Sequence, residues 1–124
     1  MLLSSDLWVS ALIRRAQIEG AYATVVKKGD ARAGSVIVKA YDTSTRTARL
    51  FTEAFGADGD RLWIQPVVSD SEGELDAYVG RQVGYDPDLW VVEIEDRQGR
   101  HFIDGKVADE GGPELADRLE AEGY

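Results

Sequence analysis

Five carboxylates surround the most strand-like run of the sequence, YDPDLWVVEIED at residues 85–96. Alternate residues of a strand face opposite sides, so Glu93 and Glu95 should lie on one face, about 7 Å apart. Two carboxylates at that spacing can hold a divalent cation if a third oxygen ligand, such as Asp96 or Asp88, joins them. The same pattern also describes a strand that leaves the core and enters water.

The other polar residues near this run could have structural roles or catalytic ones. Asp86 and Asp88 flank Pro87, where acidic residues commonly shape turns. His101, the single histidine, could act as a general base if a carboxylate such as Asp104 orients it, but a lone histidine on a strand is more often structural or exposed. Cysteine is absent, which excludes a thiolate nucleophile and any cysteine-based zinc site.

Three arginines are candidate binding residues. Arg14, Arg15 and Arg81 lie near the C-terminal ends of predicted helices, and their planar sets of N–H donors could clamp an anion or a carboxylate. Pairing with the many acidic residues is the alternative. A role with structured RNA would require these arginines to converge with Arg46 and Arg49. The net charge of −9 does not favour it, because nucleic-acid binding depends on clustered Lys and Arg.

The elements that must position these residues begin with two helices. Apolar residues at helical spacing predict a helix over 6–20. Ser71 and Glu74 match a capping box, in which each side chain satisfies a free amide of the first turn. This box predicts a second helix over 71–84, which Gly84 should end in a left-handed cap.

Strand-like runs alternate with short turn sequences after the first helix. The runs are 21–28, 35–42, 47–55 and 61–68, followed by a strand at 89–96 and a hairpin return at 100–103. Short strands joined by turns, GDARAG at 29–34 among them, predict an antiparallel meander of about four strands. Pro66 should interrupt the fourth run. Trp90, Val92 and Ile94 should share one apolar face of the last strand.

The expected fold class is α+β, with a helix, the antiparallel meander, a second helix and a final strand or hairpin. Both helices should cover one face of the sheet. The opposite face, or the edge near Pro66, would then be the contact surface. Residues 1–103 should form a single domain. Residues 104–124 hold seven acidic and two basic residues and read as an acidic tail with a short helix at 113–122.

Two stretches of the chain resemble a known family. They are LWVSALIRRAQ at 7–17 and RQVGYDPDLWVVEIEDRQGRHF at 81–102, with GDARAG between them. Together they are similar to small bacterial proteins, mainly alphaproteobacterial, that form a domain family of unknown function. The resemblance spans about residues 7–103. It implies a bacterial cytosolic origin, and it implies no reaction, cofactor or site.

The sequence favours a small cytoplasmic interaction or regulatory module without catalytic activity. No cofactor is expected, because no phosphate loop or nucleophile motif is complete. No apolar run approaches the ~18 residues that span a bilayer, so no membrane partner is expected either. The expected partner is an unknown protein or a second copy in a homodimer. The alternatives are a metal-dependent hydrolase-like enzyme that uses Glu93 and Glu95, and a factor associated with structured RNA.

Overall fold

The computed structural model describes residues 3–59 and 61–108. This part of the chain contains helices α1 (Ser5–Ile18) and α2 (Glu72–Tyr85) and strands β1 (Tyr22–Lys27), β2 (Val36–Asp42), β3 (Thr47–Phe55), β4 (Arg61–Ile64) and β5 (Trp90–Asp96). The α+β class is therefore confirmed. The helix expected at 113–122 lies outside the described residues. Within them, neither helix has the length and apolar character that crossing a membrane requires.

The strands form one mixed sheet in the order β1-β5-β2-β3-β4. β5 pairs antiparallel with β1 and parallel with β2, whereas β2, β3 and β4 are antiparallel neighbours. The predicted meander is wrong at its first hairpin, because β5 lies between β1 and β2. Trp90, Val92 and Ile94 share one face as predicted, and Val91 faces the other. A strand that is apolar on both faces suits this central position.

The connection between β1 and β2 leaves room for β5. A Cβ atom on Gly29 or Gly34 would overlap the backbone oxygen of Asp88, so the loop can approach β5 this closely only with glycine at both positions. The Asp30 amide donates to that same oxygen at 2.9 Å. The Asp30 carbonyl in turn accepts from the indole Nε1 of Trp90 at 2.7 Å. The GDARAG segment thus holds the start of β5 and does not form the hairpin turn that its composition predicts.

The two helices cover opposite faces of the sheet, which corrects the expectation that both lie on one face. Leu12 of α1 belongs to the apolar cluster that includes Val38 of β2. Leu75 of α2 belongs to a second cluster that includes Ile37 of β2. Consecutive residues of a strand point to opposite faces, so β2 is apolar on both. Each face then needs its own helix to exclude water.

The start of α2 follows the capping prediction in part, and its end does not. Ser71 Oγ accepts from the Glu74 amide at 3.2 Å. The Glu74 carboxylate accepts from Ser69 Oγ at 2.5 Å, and Ser69 Oγ accepts from the Ser71 amide at 3.0 Å. In the second half of the capping box, Ser69 thus bridges the Glu74 carboxylate and the Ser71 amide, which do not bond directly. Gly84 does not adopt the left-handed conformation, and the helix continues to Tyr85.

The chain after β5 does not return as the hairpin strand expected at 100–103. Phe102 takes a positive φ of 59°, which breaks an extended backbone. The chain then runs beside β4, where the Trp63 amide donates to the Lys106 oxygen and the Ala108 amide donates to the Trp63 oxygen, both at 2.8 Å. These bonds cover the outer edge of β4, which the sequence suggested as a contact surface.

Gly34→Ala should destabilise the fold by about 2 kcal/mol, because the added methyl group forces the loop away from the start of β5. Gly80→Ala is the matched control in α2. Nothing lies within 4 Å of its Cβ position, so alanine should stabilise the exposed helix by up to about 1 kcal/mol. Urea unfolding followed by tryptophan fluorescence measures both changes. A Gly34→Ala variant as stable as the parent would show that this loop does not hold β5.

Candidate functional site

The outer side of β1 is a sheet edge that no other described strand pairs with. Apolar side chains line it: Tyr22 is 65% exposed and Val26 is 59% exposed. Val25 is also exposed, as is Ile18 in the last turn of α1 just before the strand. An edge strand presents free backbone N–H and C=O groups, and exposed apolar side chains beside them make it a template for another strand.

β1 has a β-bulge and a lysine near its end, two features that usually protect a sheet edge from pairing. The register with β5 shifts between Val25 and Lys27, which places a β-bulge at Val26. The Lys27 ammonium donates to the backbone oxygens of Pro87 and Leu89 at 2.7 and 2.9 Å. It therefore anchors the chain that enters β5. The regular part of β1 before the bulge is left open to pairing.

The two ends of β1 carry opposite charges. Glu95 is the cross-strand neighbour of Tyr22 at the start of the strand. Glu19 is exposed just before it and lies 3.7 Å from Arg100 across a loose ion pair. Lys28 is exposed just after the strand. A strand with an acidic start and a basic end is complementary to its own copy in an antiparallel arrangement.

A buried lysine joins α2 to the sheet. Lys39 of β2 is 5% exposed, and its ammonium donates to the carboxylates of Glu72 at 2.6 Å and Asp76 at 2.8 Å. Burial lowers the pKa of Lys39, but the hydrogen bonds to Asp76 and Glu72 outweigh burial, so the pKa is raised above its usual value. Glu93, its neighbour on β5, adds to the increase. Lys39 therefore stays charged inside the interface between α2 and the sheet.

Glu93 and Glu95 lie on the α2 face of β5, where Glu93 is the strand neighbour of Lys39. Asp96 binds Arg100, whose Nε and Nη2 atoms donate at 3.0 Å to its two carboxylate oxygens. These bonds lower the pKa of Asp96 to about 2. Across residues 3–59 and 61–108, no group of three or more acidic or histidine side chains is placed to hold a metal ion.

The structure gives Asp86, Asp88 and His101 structural contacts. Asp86 ends α2, and its Oδ1 atom accepts from the Asp88 amide at 3.0 Å. His101 Nδ1 accepts from the Ile103 amide at 2.9 Å, and its ring packs edge-on against Phe51 with ring centroids 4.8 Å apart. Phe51 belongs to the α1 face. His101 is therefore separated by the sheet from the two glutamates of β5.

The three candidate arginines do not converge into a clamp. Arg15 donates from Nε and Nη2 to the Phe102 oxygen at 3.1 and 3.0 Å, which ties α1 to the chain after β5. Arg14 is exposed on the same helix. Arg81 lies on α2, 6.0 Å from the centre of the Tyr78 ring. Because α1 and α2 cover opposite faces, Arg81 cannot join the other two.

The arginines invoked for RNA binding are likewise dispersed. Arg49 donates to the Gly99 oxygen at 2.6 Å and lies 5.2 Å from the centre of the Phe51 ring, on the α1 face. Arg46 occupies the turn between β2 and β3 with a positive φ of 58°. Arg15 and Arg49 both bond to the chain after β5 on the α1 face, whereas Arg81 lies on α2 across the sheet, so the described part of the chain does not assemble all of these residues into one basic patch.

Lys39, Glu53 and Arg61 were not among the residues predicted from the sequence. The signal for Lys39 was its position two residues after Ile37 in an apolar strand, which is an inward position. Glu53 and Arg61 lie on neighbouring strands and line a cleft to which α1 and residues 104–106 also contribute, and they carry no local motif. The open edge of β1 had no local signal either, since strand order is set by pairing between distant segments.

Comparisons with known proteins identify relatives of this fold. A family model described as "Protein of unknown function (DUF1491)" matches residues 3–104. A crystal structure of a DUF1491 family protein from Caulobacter crescentus is 62% identical, with a TM-score of 0.82, and the match covers 85% of this chain and 98% of that one. An NMR structure of such a protein from the same organism is 61% identical, with a TM-score of 0.81 and coverage of 88% and 99%.

A more distant relative has the same fold. The solution structure of a protein from A. tumefaciens is 29% identical, with a TM-score of 0.73, and the match covers 90% of this chain and 99% of that one. No curated protein matches the chain. Both source organisms are alphaproteobacteria, so the resemblance noted from the sequence is confirmed.

The Lys39 cluster should respond asymmetrically to removal of its charges. Lys39→Met should change the free energy of unfolding by less than about 1 kcal/mol, because Glu72 and Asp76 are half exposed and return to water. Glu72→Gln combined with Asp76→Asn should cost more, since it leaves a buried ammonium with fewer partners. Urea unfolding at neutral pH measures both. A Lys39→Met variant that is less stable than the double variant would contradict this role.

Proposed function

The chain belongs to the DUF1491 family, whose function is unknown, and we propose that it is a small interaction module without catalytic activity that acts through the free edge of β1. The proposed occupant of that edge is a second copy of the chain, running antiparallel. The observation that carries the proposal is the row of exposed apolar side chains, Tyr22 and Val26 above all, on a strand edge left open within the described residues.

Charge supports a second copy as the occupant. In an antiparallel pair, Lys28 of each copy approaches the acidic end of the other, where Glu19 and Glu95 lie. A strand from another protein would have to carry the same charge pattern, with an acidic residue opposite Lys28 and a basic residue opposite Glu19 and Glu95. This chain already has that pattern on the edge itself.

The hydrolase alternative has less support than the interaction module. The cation beside Glu93 is the ammonium of Lys39, which forms part of the contact between α2 and the sheet. Asp96, which the sequence offered as a third ligand, is engaged by Arg100. A metal ion at Glu93 would therefore lie beside the positive charge of Lys39, and it could gain Asp96 as a ligand only by displacing Arg100.

The interface should be small and therefore weak. A short regular strand and its flanking side chains bury less than the ~1,200 Å² that marks the lower end of stable interfaces. The dimer should then form reversibly in the micromolar to millimolar range, which is about 4–8 kcal/mol of association free energy. Such a range suits a contact that responds to the local protein concentration.

Val26→Glu should weaken self-association at least about tenfold, because it replaces an apolar contact with a negative charge that approaches the acidic end of the second copy. Sedimentation equilibrium from ~10 µM to ~1 mM, the range in which a small interface dissociates, measures the effect. Val68→Glu is the matched control, since Val68 is also exposed but lies outside β1. Melting curves verify that both variants fold. A parent protein that stays monomeric throughout, or a dimer that Val26→Glu leaves unchanged, would contradict the proposal.

A further inference from the structure

Two adjoining clefts lie at the β4 end of the sheet, the end opposite to β1. Their volumes are about 410 and 310 Å³, within the range that small-molecule sites occupy. Leu3, Glu53 and Arg61 line both clefts, so the two form one continuous depression around these residues. We call this depression the β3–β4 cleft.

Glu53 places a carboxylate in the wall of the cleft. It is partly buried, and burial raises the pKa of Glu53 above its usual value. Within the described part of the chain, its carboxylate has neither a hydrogen-bond nor an ion-pair partner. A carboxylate that loses water inside a cleft without gaining a partner is a candidate ligand-binding group.

Arg61 brings the opposite charge to the same wall. Glu53 is the register partner of Trp63, and Phe55 is the register partner of Arg61. Glu53 and Arg61 are therefore diagonal neighbours on one face, about 7–8 Å apart at the backbone. The Arg61 guanidinium lies 5.9 Å from the centre of the Phe55 ring and pairs with no described carboxylate. Arg32 also lines the larger cleft, and Asp104 and Lys106 line the smaller one, so the depression presents charges of both signs around Glu53 and Arg61.

An apolar wall completes the cleft. The rings of Trp8 and Trp63 are stacked, with centroids 4.8 Å apart and planes 11° from parallel. Both line the smaller cleft together with Leu3. Burial holds both rings in place, and the small exposed part of each forms a fixed apolar patch in the cleft.

The chemistry of the ligand follows from this combination. A simple anion would meet the carboxylates of Glu53 and Asp104, and a simple cation would meet Arg61 and the other basic side chains of the lining, so each would be repelled by some of these groups. A molecule with both an ammonium and a carboxylate avoids both conflicts. We propose that the β3–β4 cleft binds a small amino-acid-like zwitterion, with its ammonium on Glu53, its carboxylate on Arg61 and an apolar side chain against Trp63.

This assignment makes binding depend on pH in a defined direction. The charged groups that face Glu53 across the cleft are Arg61 of β4, Arg32 of the loop after β1, and Asp104 and Lys106 of the chain after β5. The ligand ammonium pairs with ionised Glu53, whereas protonated Glu53 offers it no charge. Affinity should therefore increase as pH rises through the raised pKa of Glu53 and level off above it. Glu53→Gln should remove this dependence, because glutamine does not titrate.

Titrations of the full chain with free amino acids test the proposal. Leucine, valine and phenylalanine are the probes, and the Trp63 indole N–H signal in heteronuclear NMR is the readout. Two compounds that each keep one of leucine's charges, 3-methylbutylamine and 4-methylpentanoate, are matched controls. We expect saturable shifts with at least one amino acid at neutral pH, and at least about tenfold weaker binding of both controls.

Variants separate this site from adventitious binding. Glu53→Gln and Arg61→Gln should each weaken amino-acid binding at least about tenfold, whereas Arg81→Gln on α2 should leave it unchanged. Glu53→Gln should fold at least as stably as the parent at neutral pH, since it removes a desolvated charge, and its melting curve checks this. The proposal is overturned if no probe binds, if a singly charged control binds as tightly as leucine, or if binding persists in both variants.

Discussion

The insertion of β5 between β1 and β2 is the constraint on which the other features of this protein depend. The carbonyl of Asp88 lies against Gly29 and Gly34, and from there β5 pairs with a strand on each side. Because the first part of β5 is apolar on both faces, the sheet must be covered on both, and α1 and α2 take opposite sides. The same insertion moves β1 to the edge of the sheet.

This strand order separates the two proposed contact regions. The β1 edge and the β3–β4 cleft lie toward opposite ends of a five-stranded sheet, with the strands that bear the Lys39 cluster between them. At about 4.8 Å per strand the sheet is about 19 Å wide, so a second copy on β1 leaves the β4 side of the cleft, with Glu53 and Arg61, accessible; residues 32–35 of the loop after β1 line the other side of the cleft. A self-associating module and a small-molecule site can therefore occupy one domain of this size without competing for surface.

Local sequence signals predicted the helices and the faces of β5. The strand order and the placement of the helices on opposite faces depend on pairing between distant segments, which those signals do not report. Helical spacing and the Ser71 cap depend on residues a few positions apart, and both helices are found where they were expected. The glycines of GDARAG are typical of a hairpin turn, in which the chain reverses. In the structure they are needed for another reason, because they make room for the backbone of Asp88 from a distant segment. The apolar run LWVV was a usable signal for a central strand. Glu53 had none, since its loss of water depends on a cleft that several separate segments build.

Amide hydrogen exchange at several protein concentrations tests most directly whether β1 is the edge at which copies of the chain meet. Raising the concentration from ~10 µM to ~1 mM covers the range in which a small interface associates. The outward amides of β1 should exchange more slowly as the concentration rises, while the amides of β4, already covered by the chain after β5, should not change. Exchange at β1 that is independent of concentration, or slowing at β4 instead, would contradict it.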